Sequence, residues 1–135
     1  MFKVINMKMD EHKKRLKEHL DAVEWAIKRG LRESQSTIGF HVPAALVEMV
    51  SIYLRQQKLI PEGMQVNHLW FRSLKKADEV FPFEFRNKQK IFGLMKEIEE
   101  KRDSLVYGIT KEEKEIEKFL ENFHRLRTIL EDMIK

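Results

Sequence analysis

The chain lacks cysteine and is poor in glycine and proline. Its 135 residues include five glycines, three prolines and no cysteine. Without cysteine there is no disulfide bond, no thiolate nucleophile and no cysteine-ligated zinc, so only histidine and carboxylate groups remain as metal ligands. No apolar run approaches the ~18 residues needed to span a bilayer, and residues 1–7 are too short and interrupted for a signal sequence. We therefore expect a cytoplasmic protein with no membrane partner.

Glycine motifs that cradle phosphate or activate a serine are also missing, because no Walker-type, dinucleotide-binding or nucleophile-elbow pattern occurs. The polar cluster 34–37 precedes a predicted helix and is interpreted as a cap. His41 follows this cluster and is a secondary candidate for an acid, a base or a nucleotide-binding group. His12 and His19 lie seven residues apart, whereas helical metal ligands favour a spacing of three or four. Both are interpreted as solvated surface residues, and no metal or cofactor is expected.

Charge is mixed along the chain rather than dominated by one sign. The 26 Lys and Arg residues alternate with 22 Asp and Glu residues, and the net charge of +4 is mild for a nucleic-acid-binding protein. The densest basic clusters lie at residues 13–17 and 72–76. A lysine-rich outer helix face is typical of solubility. The clusters therefore support RNA binding only if they share a face with the candidate site described below.

Apolar periodicity predicts one all-α domain over residues 1–135, an up-and-down bundle of about five helices. The first helix is predicted from about Asp10 to Arg29, closed by Gly30. The second starts at Pro43, or begins earlier and kinks there. No internal repeat or interdomain linker interrupts the pattern, so a single domain is expected.

The second half of the chain predicts three more helices with an extended segment between the first two. The helices are predicted at Val66 to Ala77, at Asn87 to Val106, and from Lys111 onward after a capping box formed by Thr110 and Glu113. Residues 80–85 alternate like a strand but stand alone and contain a proline. They are therefore predicted to be a linker that pins Phe81, Phe83 and Phe85 onto the bundle.

Arg102 is the most informative residue of the fourth helix. The apolar stripe of that helix consists of Ile91, Leu94, Met95, Ile98, Leu105 and Val106. Position 102 falls on this stripe, so the Arg102 side chain is predicted to point at least partly inward. An inward cation is retained only with a partner, which is either an internal carboxylate or an external anion such as phosphate.

Arg102 is followed by Asp103 and, five residues on, by Tyr107, where the helix stops at Gly108 before a strongly amphipathic final helix. This pattern resembles the HEPN superfamily of helical nucleotide- and RNA-associated domains, loosely and over most of the chain. The family signature is an arginine, commonly followed by a polar residue, with a histidine about four to six residues on. Here Tyr107 stands in the place of that histidine.

The resemblance implies a homodimer that binds RNA or a nucleotide at a site including Arg102, Asp103 and Tyr107. His41, named above from its own position, is the secondary candidate for the acid or base that Tyr107 cannot supply. The resemblance also implies a toxin–antitoxin type component, with a nucleotidyltransferase-type protein as a candidate partner. Active family members look like metal-independent ribonucleases in which the arginine acts on the phosphate and the histidine on the ribose hydroxyl or the leaving group. The resemblance therefore also includes a weakened ribonuclease of this kind among the expected functions. A tyrosine has a pKa of about 10 and is a poor general base at pH 7, so binding is expected to survive the substitution better than catalysis. Whether the protein is an enzyme stays open at this point.

A structural or adaptor bundle without a ligand is the alternative. In that case Arg102 forms a buried ion pair with a carboxylate such as Glu48 or Glu97, and Tyr107 covers the end of the bundle. The two hypotheses differ in where they place Arg102, which lies in a polar cleft in the first and inside the bundle in the second.

Overall fold

The computed structural model describes the backbone of residues 2–134 and the side chains of residues 9–134. Its elements are α1 (Phe2–Arg29), α2 (Gln35–Gln56), a 3₁₀ helix (His68–Arg72), α3 (Leu74–Val80), α4 (Lys88–Tyr107) and α5 (Glu113–Met133). The described part of the chain contains no strand, and its five α-helices form one bundle. The predicted all-α fold class and the number of helices are confirmed.

α2 is the central helix, since it packs against α1, α4, α5 and the 3₁₀ helix. It begins at Gln35, well before Pro43, so the prediction of an earlier start is the correct alternative. By length and composition α2 is apolar enough to cross a membrane, contrary to the sequence expectation. However, 72% of its apolar window is buried by the rest of the protein. This composition is that of a core helix surrounded by other helices.

α1 packs against α2 and, within the described residues, contacts no other helix. It begins at Phe2, eight residues before the predicted start, and ends where expected, at Arg29. Gly30 follows with a φ of +132°, a conformation that side chains rarely adopt. Its amide donates to the Ala26 carbonyl at 3.1 Å, so the glycine ends the helix as the sequence predicted.

The predicted third helix over Val66 to Ala77 is wrong, because two short helices replace it. The Asn67 side chain accepts a hydrogen bond from the Leu69 amide at 2.9 Å and starts the 3₁₀ turn. Ser73 is extended (φ −134°, ψ 128°), and its hydroxyl accepts from the Lys76 amide at 3.2 Å to start α3. Two short polar side chains that cap their own downstream amides therefore split the predicted helix.

The linker interpretation is confirmed for residues 81–85, whereas Val80 is the last residue of α3. Phe81 is fully buried, and Phe83 and Phe85 pack partly buried against the core. The Phe81 ring lies 5.9 Å from the ring centroids of both Phe71 and Phe92. This aromatic cluster fastens the segment after α3 to the 3₁₀ helix and to α4.

The capping box at Thr110 and Glu113 is wrong, since α5 begins at Glu113 and has no side-chain cap. Lys111, the predicted first residue of this helix, makes a tertiary hydrogen bond instead, because its amide donates to Gln35 Oε1 at 2.6 Å. The same Gln35 amide group donates to the Leu105 carbonyl at 3.1 Å. One side chain at the start of α2 therefore links the end of α4 to the approach to α5.

The serines of the cluster 34–37 do not cap α2, so that interpretation is also wrong. Ser34 is the N-cap residue but makes no side-chain cap hydrogen bond. Ser36 donates across the bundle to the Val106 carbonyl at 2.9 Å. Both Gln35 and Ser36 thus satisfy carbonyls at the C-terminal end of α4, the end that carries Arg102.

Candidate functional site

A groove of about 570 Å³ runs between α1, α2, the segment 65–70 and α4. Its wall includes the cation of Arg102, the imidazoles of His19 and His68, and the aromatic rings of Phe40 and Trp70. We call it the Arg102 groove. Cationic, titratable and planar apolar groups therefore meet in one concave surface, the combination expected of a small-ligand site.

Arg102 points inward, as the periodicity of α4 predicted. Its side chain is only 15% exposed, and its guanidinium carbon lies 5.7 Å from the ring centroid of Phe40 on α2. Its ionic partner is the neighbouring Asp103, whose Oδ1 accepts from Nη1 at 3.0 Å. Asp103 is 54% exposed, so the ion pair reaches the protein surface and does not lie inside the bundle.

Asp103 also connects α4 to the 3₁₀ helix. Its Oδ2 accepts from Arg72 Nη2 at 2.9 Å, so one carboxylate holds two guanidinium groups. Desolvation acts to raise the pKa of Asp103, but the hydrogen bonds and charges of Arg72 and Arg102 outweigh it and lower that pKa. Asp103 therefore stays ionised and fixes the position of Arg102, which is a supporting role beside the groove.

The network continues from Arg72 to His68. Arg72 Nε lies 3.7 Å from Oε2 of Glu99, and the same carboxylate oxygen lies 2.9 Å from His68 Nδ1. The Glu99 side chain is completely buried, whereas His68 is 34% exposed. His68 and Arg102, which both line the groove, are thus joined by a continuous series of alternating charges through Glu99, Arg72 and Asp103.

His19 and His41 form a second imidazole pair, between α1 and α2. Their Nδ1 atoms lie 2.9 Å apart, so one nitrogen donates a proton and the other accepts it. Burial lowers the pKa of His19 below its usual 6.5, although the charges of Glu48 and Glu18 act in the opposite direction. Burial and then the charge of His19 lower the pKa of His41. The pair is therefore held neutral near pH 7.

The interpretation of His12 and His19 as solvated surface residues is wrong. His12 Nδ1 lies 2.8 Å from Oε2 of Glu48 on α2, and its side chain is 15% exposed. His19 contacts His41 and lines the Arg102 groove. The two histidines lie two turns apart on the face of α1 that packs against α2, so both serve in that interface.

Tyr107 lies away from the groove in the single chain. Five residues of α-helix rotate it about 140° from Arg102 around the axis of α4. It is 78% exposed, next to Ile109, which is 82% exposed. The structure thus brings Arg102 and Asp103 together, links His41 to Arg102 through the ring of Phe40, which contacts both, and leaves Tyr107 outside the groove wall.

The basic cluster at residues 72–76 is only partly connected to this site. Arg72 belongs to the network behind the groove, through Asp103 and Glu99. Lys75 and Lys76, on α3, are exposed and lie outside the groove wall. The condition for this cluster to support RNA binding was that it share a face with the candidate site, and within the cluster only Arg72 is connected to that site.

A second hollow of about 510 Å³ adjoins the groove and shares Glu48, Gln65 and Val66 with it. Arg55 lies in its wall, with its side chain 1% exposed. The guanidinium donates to the carbonyls of Pro61, at 3.3 Å, and Glu62, at 2.6 Å, and also to that of Met64. Arg55 thus fixes the loop that leads into the groove wall.

Sequence reasoning missed several residues of the site, and one of them carried a readable signal. Glu99 lies four residues after Met95 and three before Arg102, on the same buried stripe that identified Arg102. A carboxylate on that stripe predicts a buried partner by the same argument. His68 gave no such signal, because it lies in a 3₁₀ turn whose orientation depends on the bundle.

Among the described residues, no three His, Asp or Glu side chains come together in the way a metal site needs. Comparison with protein families, curated proteins and solved structures finds no match for this chain. The resemblance to the HEPN superfamily therefore stays a prediction from the sequence.

Proposed function

We propose that this protein is a HEPN-like domain that binds RNA or a nucleotide in the Arg102 groove. The observation that carries the proposal is the position of Arg102, a largely buried cation in the wall of a groove that also holds Phe40, Trp70 and two histidines. Phosphate and nucleobase are the two ligand parts that such a wall recognises.

The phosphate would bind at Arg102. A guanidinium has five N–H donors, and Asp103 accepts from Nη1 at 3.0 Å. The Asp103 carboxylate is shared with Arg72, so it only partly neutralises either cation. A phosphate oxygen can therefore add to Arg102 without displacing Asp103, and paired N–H donors suit its geometry.

The base would stack on the aromatic part of the wall. Phe40 is 45% exposed although its ring contacts Arg102, and Trp70, on the 3₁₀ helix, lines the same groove. Stacking of a base on such rings is worth about 1–3 kcal/mol. The groove volume of about 570 Å³ falls within the range of small-molecule sites.

The first test is binding of a short fluorescently labelled single-stranded RNA, measured by anisotropy for the wild type and for Arg102→Ala. Loss of charge-assisted hydrogen bonds worth about 1.5–3 kcal/mol corresponds to a loss of affinity of roughly 10- to 100-fold. The melting temperature should fall by only a few degrees, since the ion pair of Arg102 is with a half-exposed neighbour.

Arg86→Ala is the matched control. Arg86 is 62% exposed, pairs with Asp132 of α5 at 2.9 Å and lies outside the groove wall, so its removal changes the net charge equally. The RNA affinity of this variant should stay close to that of the wild type. Equal losses in the two variants would reduce the binding to general charge attraction and contradict a site at Arg102.

Tryptophan fluorescence gives an independent measurement with a mononucleotide. The chain has two tryptophans, and Trp25 lies outside the groove wall, so the Trp25→Phe variant leaves Trp70 as the sole reporter. Stacking of a base on the groove wall should quench Trp70 emission in a saturable way. An unchanged spectrum at millimolar nucleotide would restrict the proposal to longer RNA.

The adaptor hypothesis retains one specific observation in its favour. Tyr107 and Ile109, at the turn between α4 and α5, are 78% and 82% exposed. Such apolar groups suit contact with a second protein. That protein is a different one in the adaptor hypothesis and a second copy of this chain in our own proposal, which includes a homodimer. Light scattering of the wild type and of a Tyr107→Ser, Ile109→Ser double variant tests this, because the variant should be monomeric if the pair forms the interface.

A further inference from the structure

His68 and Glu99 form an imidazole–carboxylate pair whose two members have different surroundings. The carboxylate is completely buried and accepts from His68 Nδ1 at 2.9 Å through Oε2. Its other oxygen, Oε1, is buried and has no hydrogen-bond partner among the side chains and backbone that the structure describes. His68, by contrast, is 34% exposed and lines the Arg102 groove. A buried carboxylate with an unused oxygen is costly and is commonly retained where it positions a reacting group.

We infer that His68, held by Glu99, is a general base that removes the proton from the ribose 2′-hydroxyl of RNA bound in the Arg102 groove. The inference rests on the proposed function, because it requires RNA in that groove. It assigns to the 3₁₀ helix the base that Tyr107 cannot supply, and within the Arg102 to Tyr107 segment it uses only Arg102 and Asp103.

Glu99 determines which nitrogen of His68 is the base. In the neutral ring Nδ1 carries the proton that is donated to Glu99 Oε2, so the lone pair that accepts a proton is on Nε2. When Nε2 takes up a proton, the carboxylate stabilises the imidazolium that forms. Glu99 is thus a positioning residue, since it acts on the substrate only through His68.

The charge network fixes His68 relative to Arg102. Glu99 and Asp103 lie on the same helix, four residues apart, and Arg72 contacts both, at 3.7 and 2.9 Å. Through these contacts the 3₁₀ helix that carries His68 is tied to the turn of α4 that carries Arg102. A base and a phosphate-binding cation therefore line one groove in fixed relative positions, and such positioning is what a phosphoryl transfer gains from its binding site.

The reaction is a transesterification that needs no co-reactant. The 2′-hydroxyl proton passes to His68 Nε2, the 2′-oxygen forms a bond to phosphorus, and the bond from phosphorus to the 5′-oxygen breaks. The 5′-oxygen takes a proton from water, and His68 returns its proton to solvent. The products are a 2′,3′-cyclic phosphate and a 5′-hydroxyl, with Arg102 offsetting the negative charge on the phosphoryl oxygens.

The test compares cleavage and binding for the intact protein. A single-stranded oligoribonucleotide and its 2′-deoxy counterpart are labelled at one end, with binding followed by anisotropy and cleavage by gel. The wild type should bind both and cut only the ribose form, leaving a cyclic phosphate. His68→Ala should lose at least about 100-fold in cleavage rate, the usual contribution of a general base, and still bind the deoxy strand.

Two further variants separate a catalytic role from a structural one. Added imidazole should restore part of the cleavage by His68→Ala, which a purely structural histidine would not allow. Glu99→Gln keeps the shape of the carboxylate and, if circular dichroism shows it folded, should lower the cleavage rate with little effect on binding. His124→Ala is the matched control, because His124 is exposed on α5 and outside the groove wall.

The outcomes distinguish the inference from the function on which it rests. RNA binding that depends on Arg102, without any cleavage of the ribose strand, would overturn the role of His68 and leave the proposed function standing. Cleavage by His68→Ala at the wild-type rate would do the same. Absence of RNA binding by the wild type would overturn this inference, and if the mononucleotide also left Trp70 emission unchanged it would overturn the proposed function as well.

Discussion

Replacement of Arg55 by methionine should unfold the loop before the groove and destabilise the whole bundle. The Arg55 side chain is 1% exposed. It uses Nε, Nη1 and Nη2 to hold the Ser51 hydroxyl and the backbone carbonyls of Pro61, Glu62 and Met64. Methionine has a stem of similar length but no donor, so the packing is largely kept while these hydrogen bonds disappear.

The loss in free energy of unfolding follows from where the acceptors lie. Hydrogen bonds to a charged donor are worth about 1.5–3 kcal/mol each, but the loop carbonyls are close enough to solvent to bind water once the guanidinium is gone. The Glu62 carboxylate, 3.9 Å from Nη1 and 40% exposed, also loses its partner. We expect the free energy of unfolding to fall by about 3 kcal/mol in total, within the range for a broken buried charge network.

The assay is chemical denaturation followed by circular dichroism, with hydrogen exchange as the local readout. For a chain of this length ~3 kcal/mol corresponds to a fall of roughly 10 °C in melting temperature. Amides of residues 57–66 should lose protection first. Arg86→Met, at an exposed pair with Asp132, is the matched control and should cost less than about 1 kcal/mol. A similar loss below 1 kcal/mol for Arg55→Met would refute the reasoning.

Two more predictions concern the helix contacts that build the site. In Gly39→Ala the new Cβ would lie 2.6 Å from Leu105 Cβ, so an overpacking cost of about 1–3 kcal/mol should exceed the ~1 kcal/mol gain in helix propensity, which denaturation measures. Stabilisation of this variant would contradict the close approach of α2 and α4. Because the folded-state pKa of His19 and of His41 lies below the unfolded value of 6.5, unfolding takes up protons as the pH falls, and stability should decrease through and below pH 6.5. Denaturation curves at pH 7.5 and 5.5 check this, and a His19→Asn, His41→Asn double variant should show a weaker pH dependence.

The predictions that held were those that depend on local periodicity. Stripes of apolar residues at three- and four-residue intervals located α1, α2, α4 and α5, because a helix buries the same face wherever it packs. The helix predicted from Val66 to Ala77 failed although its apolar pattern was helical. The side chains of Asn67 and Ser73 accept hydrogen bonds from nearby downstream amides and divide the segment into two short helices. The predicted capping box of Thr110 and Glu113 failed for the opposite reason. The Lys111 amide donates its hydrogen bond to Gln35, a residue distant in sequence.

The inward direction of Arg102 was decided by the sequence alone, since it follows from the register of α4. Its partners were decided by the tertiary structure. Asp103 is its neighbour, but Phe40 comes from α2, and Arg72 reaches Asp103 from a 3₁₀ turn whose direction no local pattern specifies. The pairing of His68 with Glu99 likewise joins residues 31 positions apart. Helical register depends on each segment's own side chains, whereas the meeting of four elements around one groove depends on how the bundle packs.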